Sequence, residues 1–382
     1  MNNKITDNII NIGVDDHQID LFEGQYKVPK GMRYNSYLII DDKIAILDSV
    51  DYKFKDEWLD KLNKELKGRI PDYLIIHHME PDHSANIMNL VKAYPTIILI
   101  GNLKTFQMLD SFFPNEEYHK QIVNENDILD LGHHQLKFIM APMVHWPEVM
   151  MSYEINNKVL FSADAFGKFG SLDIDDDWDD EGRRYYYGIV GKYGVQVQNV
   201  IKKLASFDLK CICSLHGPIL NNNLDHYLSL YQKWSTYSYE EEDKVLILYT
   251  SVYNHTKEAV LKLQKLLNNN CVIYDLARSD MSLCVAEAFR YKKIVLATTT
   301  YNADIYPFMK ELIIELVDRN FQNHQIAIIE NGSWAPMVVK KIKTYLENSK
   351  NIEYIGEVHI KSSLDNNSLK ELETLNEVLN RR

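Results

Sequence analysis

Cysteines and long apolar segments are scarce in this chain. Its 382 residues include four cysteines, Cys211, Cys213, Cys271 and Cys284, and no two of them have Cys-x-x-Cys spacing. Four cysteines do not make a disulfide framework in a chain of this length, so we expect a reducing compartment, the cytoplasm. Cys211 and Cys213 are separated by one residue on a predicted strand, so both thiols lie on the same face. We interpret them as core residues in preference to a redox pair.

Two further absences limit the partners of the chain. No apolar run approaches the roughly 20 residues of a membrane helix, and the polar start lacks the apolar core of a signal peptide. Basic residues are outnumbered, with 42 Lys and Arg against 54 Asp and Glu, so the net charge is −12. This balance argues against nucleic acid or an anionic membrane as the main partner.

The composition is otherwise that of a soluble globular protein, with 46% hydrophobic and 25% charged residues. A chain of this length usually forms two domains. The charge run at residues 240–243 lacks apolar periodicity and indicates a connector, which gives domains 1–243 and 244–382. The first half has paired short strands followed by helices, as in an αββα sandwich. The second half alternates strands and helices, which predicts a doubly wound, parallel, flavodoxin-like domain.

A metal site is predicted where the apolar strand Tyr73–Ile76 ends. The polar turn that follows contains two imidazoles and two carboxylates, and alternate side chains of an extended backbone point the same way. Three distant segments end in matching groups, so a solvated loop with scattered histidines is the weaker interpretation. The candidate ligands in this turn are His78, Glu80 and Asp82, which alternation can direct to one spot, and the adjacent His83.

The spacing His-x-Glu-x-Asp-His resembles the metallo-β-lactamase signature, with Glu80 in place of its second histidine. A carboxylate is a harder, anionic ligand, and it moves the site from zinc towards iron or manganese. With this change the chain resembles the flavodiiron proteins. The resemblance implies that His78, Glu80 and His145 bind one non-haem iron. It also implies that Asp82, His83 and His216 bind a second, and that Asp164 bridges the two.

Three loops of the second half have chemistry suited to FMN. A loop of hydroxyl and amide groups between a strand and a helix can hold a phosphate at the helix N-terminus. The later loops resemble flavodiiron segments that wrap the flavin ring, although Asn254-His255 and Ala303-Asp304 depart from the family pattern. The candidate residues are Thr250, Ser251, Val252, Tyr253, Asn254, His255 and Thr256, then Thr299, Thr300, Tyr301, Asn302, Ala303 and Asp304, and finally Asn331, Gly332, Ser333 and Trp334.

The resemblance also implies an activity and an assembly. Flavodiiron proteins reduce dioxygen to water or nitric oxide to nitrous oxide, with electrons relayed through FMN. Tyr193 resembles their second-shell tyrosine, which hydrogen-bonds the bound diatomic; it could equally be a core residue. A head-to-tail homodimer, or a dimer of such dimers, is expected, with a separate rubredoxin-like protein as electron donor.

Two other interpretations remain open at this point. The chain could be a zinc hydrolase with an appended flavodoxin, which Glu80 disfavours. It could also be an electron carrier whose first domain is an inert scaffold, which the complete ligand set disfavours. The acidic run Asp173–Glu181 is interpreted as a solvated loop in preference to a docking patch.

Overall fold

The computed structural model describes residues 4–174 and 176–381, which belong to two compact units. The units are Met1–Gln232 and Lys233–Arg382. The boundary predicted between residues 243 and 244 stays a prediction. The interpretation of residues 240–243 as a connector is wrong, because Glu241, Glu242 and Asp243 begin a strand. They lack apolar periodicity because that end of the strand extends beyond the buried core.

Two large β-sheets form the centre of the first unit, and β2 with β5 and β3 with β4 form two further, two-stranded sheets. The order of the large sheets is β1-β6-β7-β8-β9-β10 in one and β11-β12-β13-β14-β15 in the other. The strands are β1 (Ile9–Asn11), β2 (Val14–Asp16), β3 (Leu21–Phe22), β4 (Tyr26–Lys27), β5 (Met32–Tyr34), β6 (Tyr37–Ile39), β7 (Ala45–Leu47), β8 (Tyr73–Ile75), β9 (Ile98–Gly101), β10 (His119–Ile122), β11 (Ile128–Asp130), β12 (Gln135–Met140), β13 (Met150–Glu154), β14 (Val159–Phe161) and β15 (Cys211–Cys213).

The core of this unit lies between the two sheets. Leu47 and Ile75 of the first sheet and Phe138 and Phe161 of the second belong to one buried cluster. Cys211 and Cys213 are both free thiols of this cluster, with their Sγ atoms 3.7 Å apart. The helices are α1 (Lys55–Leu66), α2 (Pro81–Ser84), α3 (Ile87–Ala93), α4 (Leu103–Phe112), α5 (Trp178–Tyr185), α6 (Gly194–Leu204) and α7 (Leu224–Ser235).

The second unit contains a parallel sheet of order β17-β16-β18-β20-β21. This is the doubly wound, flavodoxin-like strand order, in which ligands bind beyond the carboxyl ends of the strands. Its elements are β16 (Glu241–Tyr249), α8 (His255–Leu266), β17 (Cys271–Asp275), α9 (Met281–Arg290), β18 (Tyr291–Tyr301), β19 (Asp304–Ile305), α10 (Pro307–Asp318), β20 (Gln325–Asn331), α11 (Val338–Tyr345), β21 (Glu353–Ile360) and α12 (Asn366–Leu379).

The fold predictions for both halves are confirmed: an αββα sandwich is followed by a doubly wound parallel domain. Within residues 4–174 and 176–381, no helix has the length and apolar composition that a membrane crossing requires.

Candidate metal centre

Four loops at strand ends carry the seven predicted ligands. His78 and Glu80 follow β8, and the chain then turns into α2, because Pro81 is well suited to the first helical position. Asp82 and His83 therefore lie on a helix and not on extended backbone. Alternation along an extended backbone predicts that His78, Glu80 and Asp82 converge. In the structure His78 and Glu80 belong to one group of side chains, and Asp82 belongs to another.

The structure places the seven side chains in two adjacent groups. One contains His78, Glu80, His145 and Asp164, and the other contains Asp82, His83 and His216. In the first group, the Nε2 atom of His145 lies 3.0 Å from Glu80 Oε2 and 3.3 Å from His78 Nε2.

In the second group, the Nε2 atoms of His83 and His216 are 3.0 Å apart. Asp82 Oδ2 lies 3.3 Å from each of them. Imidazole nitrogens and carboxylate oxygens converge in both groups, which is the arrangement that a metal ion requires of its ligands.

Asp164 lies between the two groups. Its Oδ2 atom is 3.1 Å from His145 Nε2, and its Oδ1 atom is 3.3 Å from His83 Nε2. Its Oδ1 atom and both carboxylate oxygens of Asp82 are buried and have no hydrogen-bond partner within residues 4–174 and 176–381. Buried carboxylate oxygens without partners are costly unless a cation pairs with them, so the donor set fits two metal ions.

The electrostatics of the site oppose the cost of burial. Burial raises the pKa of Glu80, but hydrogen bonds from His145 and His78 outweigh it and lower the pKa below its usual range. Burial lowers the pKa of His145, but hydrogen bonds to Asp164 and Glu80 raise it to about 9. The Glu80 carboxylate is therefore held as an anion in a pocket whose side chains are nearly all buried.

A second layer of residues, absent from the sequence predictions, orients the ligands. Glu148 Oε1 lies 2.8 Å from His78 Nδ1 and also accepts the backbone N–H of Met79. His216 Nδ1 lies 2.8 Å from the backbone oxygen of Arg33. Partners of this kind determine which imidazole nitrogen faces the metal. The one sequence signal for Glu148 is its place three residues after His145 in the same turn.

The neighbouring His77 is not a ligand but anchors the loop. Its Nδ1 lies 2.6 Å from Asp48 Oδ2, and its Nε2 lies 2.8 Å from Ser152 Oγ. Asp48 also accepts the backbone N–H groups of His77 and His78. This buried array connects the end of β8 to β7 and β13.

Tyr185 packs against a predicted ligand. Its ring lies 5.4 Å from that of His216, and no group among the described residues forms a hydrogen bond with its buried hydroxyl. Burial, together with the charges of Asp164, Glu80 and Asp82, raises its pKa. Tyr193 is half-exposed at the start of α6, and none of its described contacts reaches the ligands. Sequence alone offered no way to choose between them.

An acidic side chain, Glu23, lies at the edge of the pocket. It occupies the turn between β3 and β4 with φ of 49°, and Phe22 packs edge-on against His216 at 5.4 Å. Partial desolvation and the adjacent Glu80 carboxylate raise the pKa of Glu23 to about 7. The sequence predictions did not identify this residue.

The interpretation of the acidic run at residues 173–181 as a solvated loop is wrong from Asp176 onward. Asp175 lies outside the described residues. Asp176 is largely buried and forms ion pairs with Lys168 and Lys30. From Trp178 onward the run is the first turn of α5. Asp176 thus neutralises the buried Lys168 and the partly exposed Lys30. The acidic residues of the first turn are favourable at the positive N-terminal end of the helix.

The predicted flavin residues line the carboxyl ends of β16, β18 and β20. Thr250 Oγ1 lies 2.5 Å from Thr298 Oγ1, and Thr299 Oγ1 donates to the backbone oxygen of Asn331. Two aromatic side chains, Tyr253 and Trp334, are 83% and 82% exposed beside these loops. Exposed aromatics at this edge offer surface on which a flavin ring can pack.

The two loops that depart from the family pattern contain residues in the left-handed backbone conformation. Asn254 has φ of 71°, Asn302 of 49° and Ala303 of 57°. Asparagine adopts this region readily, whereas alanine pays roughly 1–2 kcal/mol for it. The loop thus forms the tight turn without glycine.

Comparisons with family models, with curated proteins and with solved structures give consistent matches. A family model described as ODP family beta lactamase matches residues 32–217. The anaerobic nitric oxide reductase flavorubredoxin of Salmonella paratyphi A is 30% identical over 361 residues, covering 90% of this chain and 75% of that protein.

Solved structures agree in fold. The rubredoxin oxygen:oxidoreductase of Desulfovibrio gigas superposes with a TM-score of 0.90 at 23% identity, covering 99% of this chain and 97% of that one. The flavodiiron protein of Giardia intestinalis gives 0.88 at 20% identity, with the same coverage of each chain.

Proposed function

The chain belongs to the flavodiiron protein family, and we propose that it is an oxidoreductase that reduces nitric oxide, dioxygen or both at a pair of iron ions. The observation that carries the proposal is the convergence of seven side chains with a carboxylate, Glu80, among the histidines. The relative that shares 30% of its sequence is named for nitric oxide reduction.

We assign His78, Glu80 and His145 to one iron, Asp82, His83 and His216 to the other, and Asp164 to both. Two ferrous ions carry four positive charges, and the three carboxylates of this set offset three of them. The remaining charge is small enough for a buried site with one anionic oxygen ligand. When bound, the iron and FMN supply the electrons: two reduce a pair of nitric oxide molecules to nitrous oxide, and four reduce dioxygen to water.

The chain's own residues bind and orient the reactants. Glu148 and the Arg33 carbonyl keep the Nε2 atoms of His78 and His216 directed into the pocket. Tyr185 holds a phenolic proton that no group in the described part of the chain accepts, so it can donate to an oxygen atom of the substrate. Tyr193 remains the alternative for this role.

FMN is assigned to the three loops at the end of the second sheet. Ser251 to Thr256 precede and begin α8, whose N-terminus can bind the phosphate. Residues 299–304 and 331–334 would hold the flavin ring, and Tyr301 and Trp334 would supply aromatic surface for it. This assignment is supported by the parallel strand order and by the exposure of these aromatics.

Assembly and partner are part of the same proposal. A head-to-tail homodimer would bring the FMN of one subunit to the irons of the other, and a rubredoxin-like protein would deliver electrons. The relatives' names, flavorubredoxin and rubredoxin oxygen:oxidoreductase, support the donor class. Four free cysteines support a cytoplasmic location.

The test is gas reduction by the reconstituted protein. The full chain, loaded with FMN and ferrous iron and reduced without oxygen, is mixed separately with nitric oxide and with dioxygen. Reoxidation of FMN with stoichiometric nitrous oxide or oxygen consumption is expected. Zinc retention with ester or thioester hydrolysis would contradict the proposal and favour the hydrolase interpretation, while FMN binding without iron would favour the electron carrier.

A further inference from the structure

The two groups of ligands are not held equally, and the difference is clearest at their histidines. His78 and His83 are both completely buried and both present Nε2 to the pocket. The Nδ1 atom of His78 is bonded to the carboxylate of Glu148 at 2.8 Å. The Nδ1 atom of His83 is buried, and no group within the described part of the chain forms a hydrogen bond with it.

The carboxylates show the same contrast. Glu80 accepts from both His78 and His145 in its group. Neither carboxylate oxygen of Asp82 has a hydrogen-bond partner among residues 4–174 and 176–381. Hydrogen bonds to groups outside the ligand set thus hold His78 before any ion arrives, whereas among the described residues the side chains of Asp82 and His83 have polar contacts of 3.0–3.3 Å with other members of the ligand set only. Ligands that are already ordered lose less freedom when they bind.

Glu148 also adds charge to the first group alone. A carboxylate that accepts from the distal nitrogen of a metal-binding histidine fixes its orientation and strengthens it as a donor. His216, in the second group, has only the neutral backbone oxygen of Arg33 in this place.

We propose that the two metal positions fill in order: the subsite of His78, Glu80 and His145 binds first and more tightly, and Glu148 is the positioning residue that makes the two unequal. This inference rests on the proposed function, because it concerns the same seven ligands. It adds that a protein with one ion per chain is a defined state, with the second subsite empty.

Cobalt(II) provides a direct probe of this order. Isolated high-spin cobalt(II) gives an electron paramagnetic resonance signal, and two ions bridged by one carboxylate couple and lose it. With one equivalent added to the metal-free full chain, nearly all the cobalt is expected to give the isolated signal. The second equivalent is expected to remove it. Coupled pairs in half of the molecules at one equivalent would overturn the proposal.

A matched pair of variants tests the role of Glu148. Glu148→Gln is expected to weaken the first binding step by roughly 10- to 100-fold and the second by much less. Glu154→Gln is the control, because Glu154 is equally buried, accepts two backbone N–H groups and lies at the other end of β13. An unchanged first step in Glu148→Gln, or an equal effect of both variants, would overturn the proposal.

A third variant keeps the test decisive if Glu148→Gln does not fold. His83→Ala is expected to abolish the second step and leave the first, so the isolated signal persists at two equivalents. Loss of the first step instead would overturn the proposal. A chain that binds neither cobalt nor ferrous iron would contradict the proposed function, whereas two ions bound with equal affinity would contradict this inference alone.

Discussion

The hydroxyl of Tyr185 is buried and has no hydrogen-bond partner among the described residues, while its ring packs 5.4 Å from the ring of the predicted ligand His216. A phenol in this position can donate to a substrate oxygen without first breaking a bond within the protein. The two candidate tyrosines differ in burial, since Tyr185 is fully buried and Tyr193 is half-exposed.

Tyr185→Phe should slow gas reduction without changing metal content. The substitution keeps the ring packing and removes only the donor, whose loss costs roughly 10- to 100-fold, as for a hydrogen bond to a charged group. Turnover and iron per chain are measured together. Tyr193→Phe is the matched variant and should retain turnover; the reverse pattern would assign the role to Tyr193.

Glu80→His should change the metal that the protein retains. It converts the segment to His-x-His-x-Asp-His, a softer and less anionic ligand set that favours zinc. The purified variant, offered iron and zinc in equal amounts, is expected to hold mainly zinc and to lose gas reduction. Glu117→His, on an exposed loop, controls for an added histidine. Iron retained by Glu80→His at wild-type level would contradict the role given to Glu80.

Trp334→Ala should weaken FMN binding by about 3- to 10-fold, which is the effect expected from one lost aromatic contact. Flavin fluorescence during titration of the flavin-free chain measures this affinity. Phe112→Ala removes a partly exposed aromatic from the first unit and should have no effect. Equal affinities for wild type and Trp334→Ala would place the ring elsewhere.

The free energy of unfolding should fall at low pH because of His324. This residue lies in the second unit, far along the chain from any predicted metal ligand. Burial lowers its pKa from 6.5 to about 4, although its Nδ1 bonds to the Tyr291 carbonyl. The unfolded chain therefore binds the proton first. Stability is complete above pH 6.5 and is lost as the pH falls towards 4.

Between pH 6.5 and 5 the loss from His324 alone should be about 2 kcal/mol. Denaturation of metal-free and flavin-free protein at the two pH values gives the total change. His324→Gln cannot take up this proton, so its change should be smaller than that of wild type by that amount. Identical changes in the two proteins would show that His324 is not responsible.

Sequence reasoning reached the parts of the fold and site that local pattern determines. Apolar runs indicated the strands, and the polar turn after β8 indicated a metal site with His78, Glu80, Asp82 and His83. The resemblance, not periodicity, gave the division of those ligands, because the turn into α2 at Pro81 separates Asp82 from His78 and Glu80.

What sequence could not give depends on contacts between distant residues. Glu148 is a ligand-orienting group only because the turn after β12 folds back onto His78. The run at 173–181 looked solvated because its partners, Lys30 and Lys168, are identified only by the tertiary fold. Three adjacent tyrosines offered no signal that Tyr185 would be the one facing the ligands.

The most direct test of the account is the metal content of the full chain after anaerobic reconstitution with FMN and ferrous iron, determined by elemental analysis and Mössbauer spectroscopy. Two irons per chain, coupled to each other, are predicted. A single zinc, or no metal at the pocket of His78, Glu80 and Asp164, would contradict it.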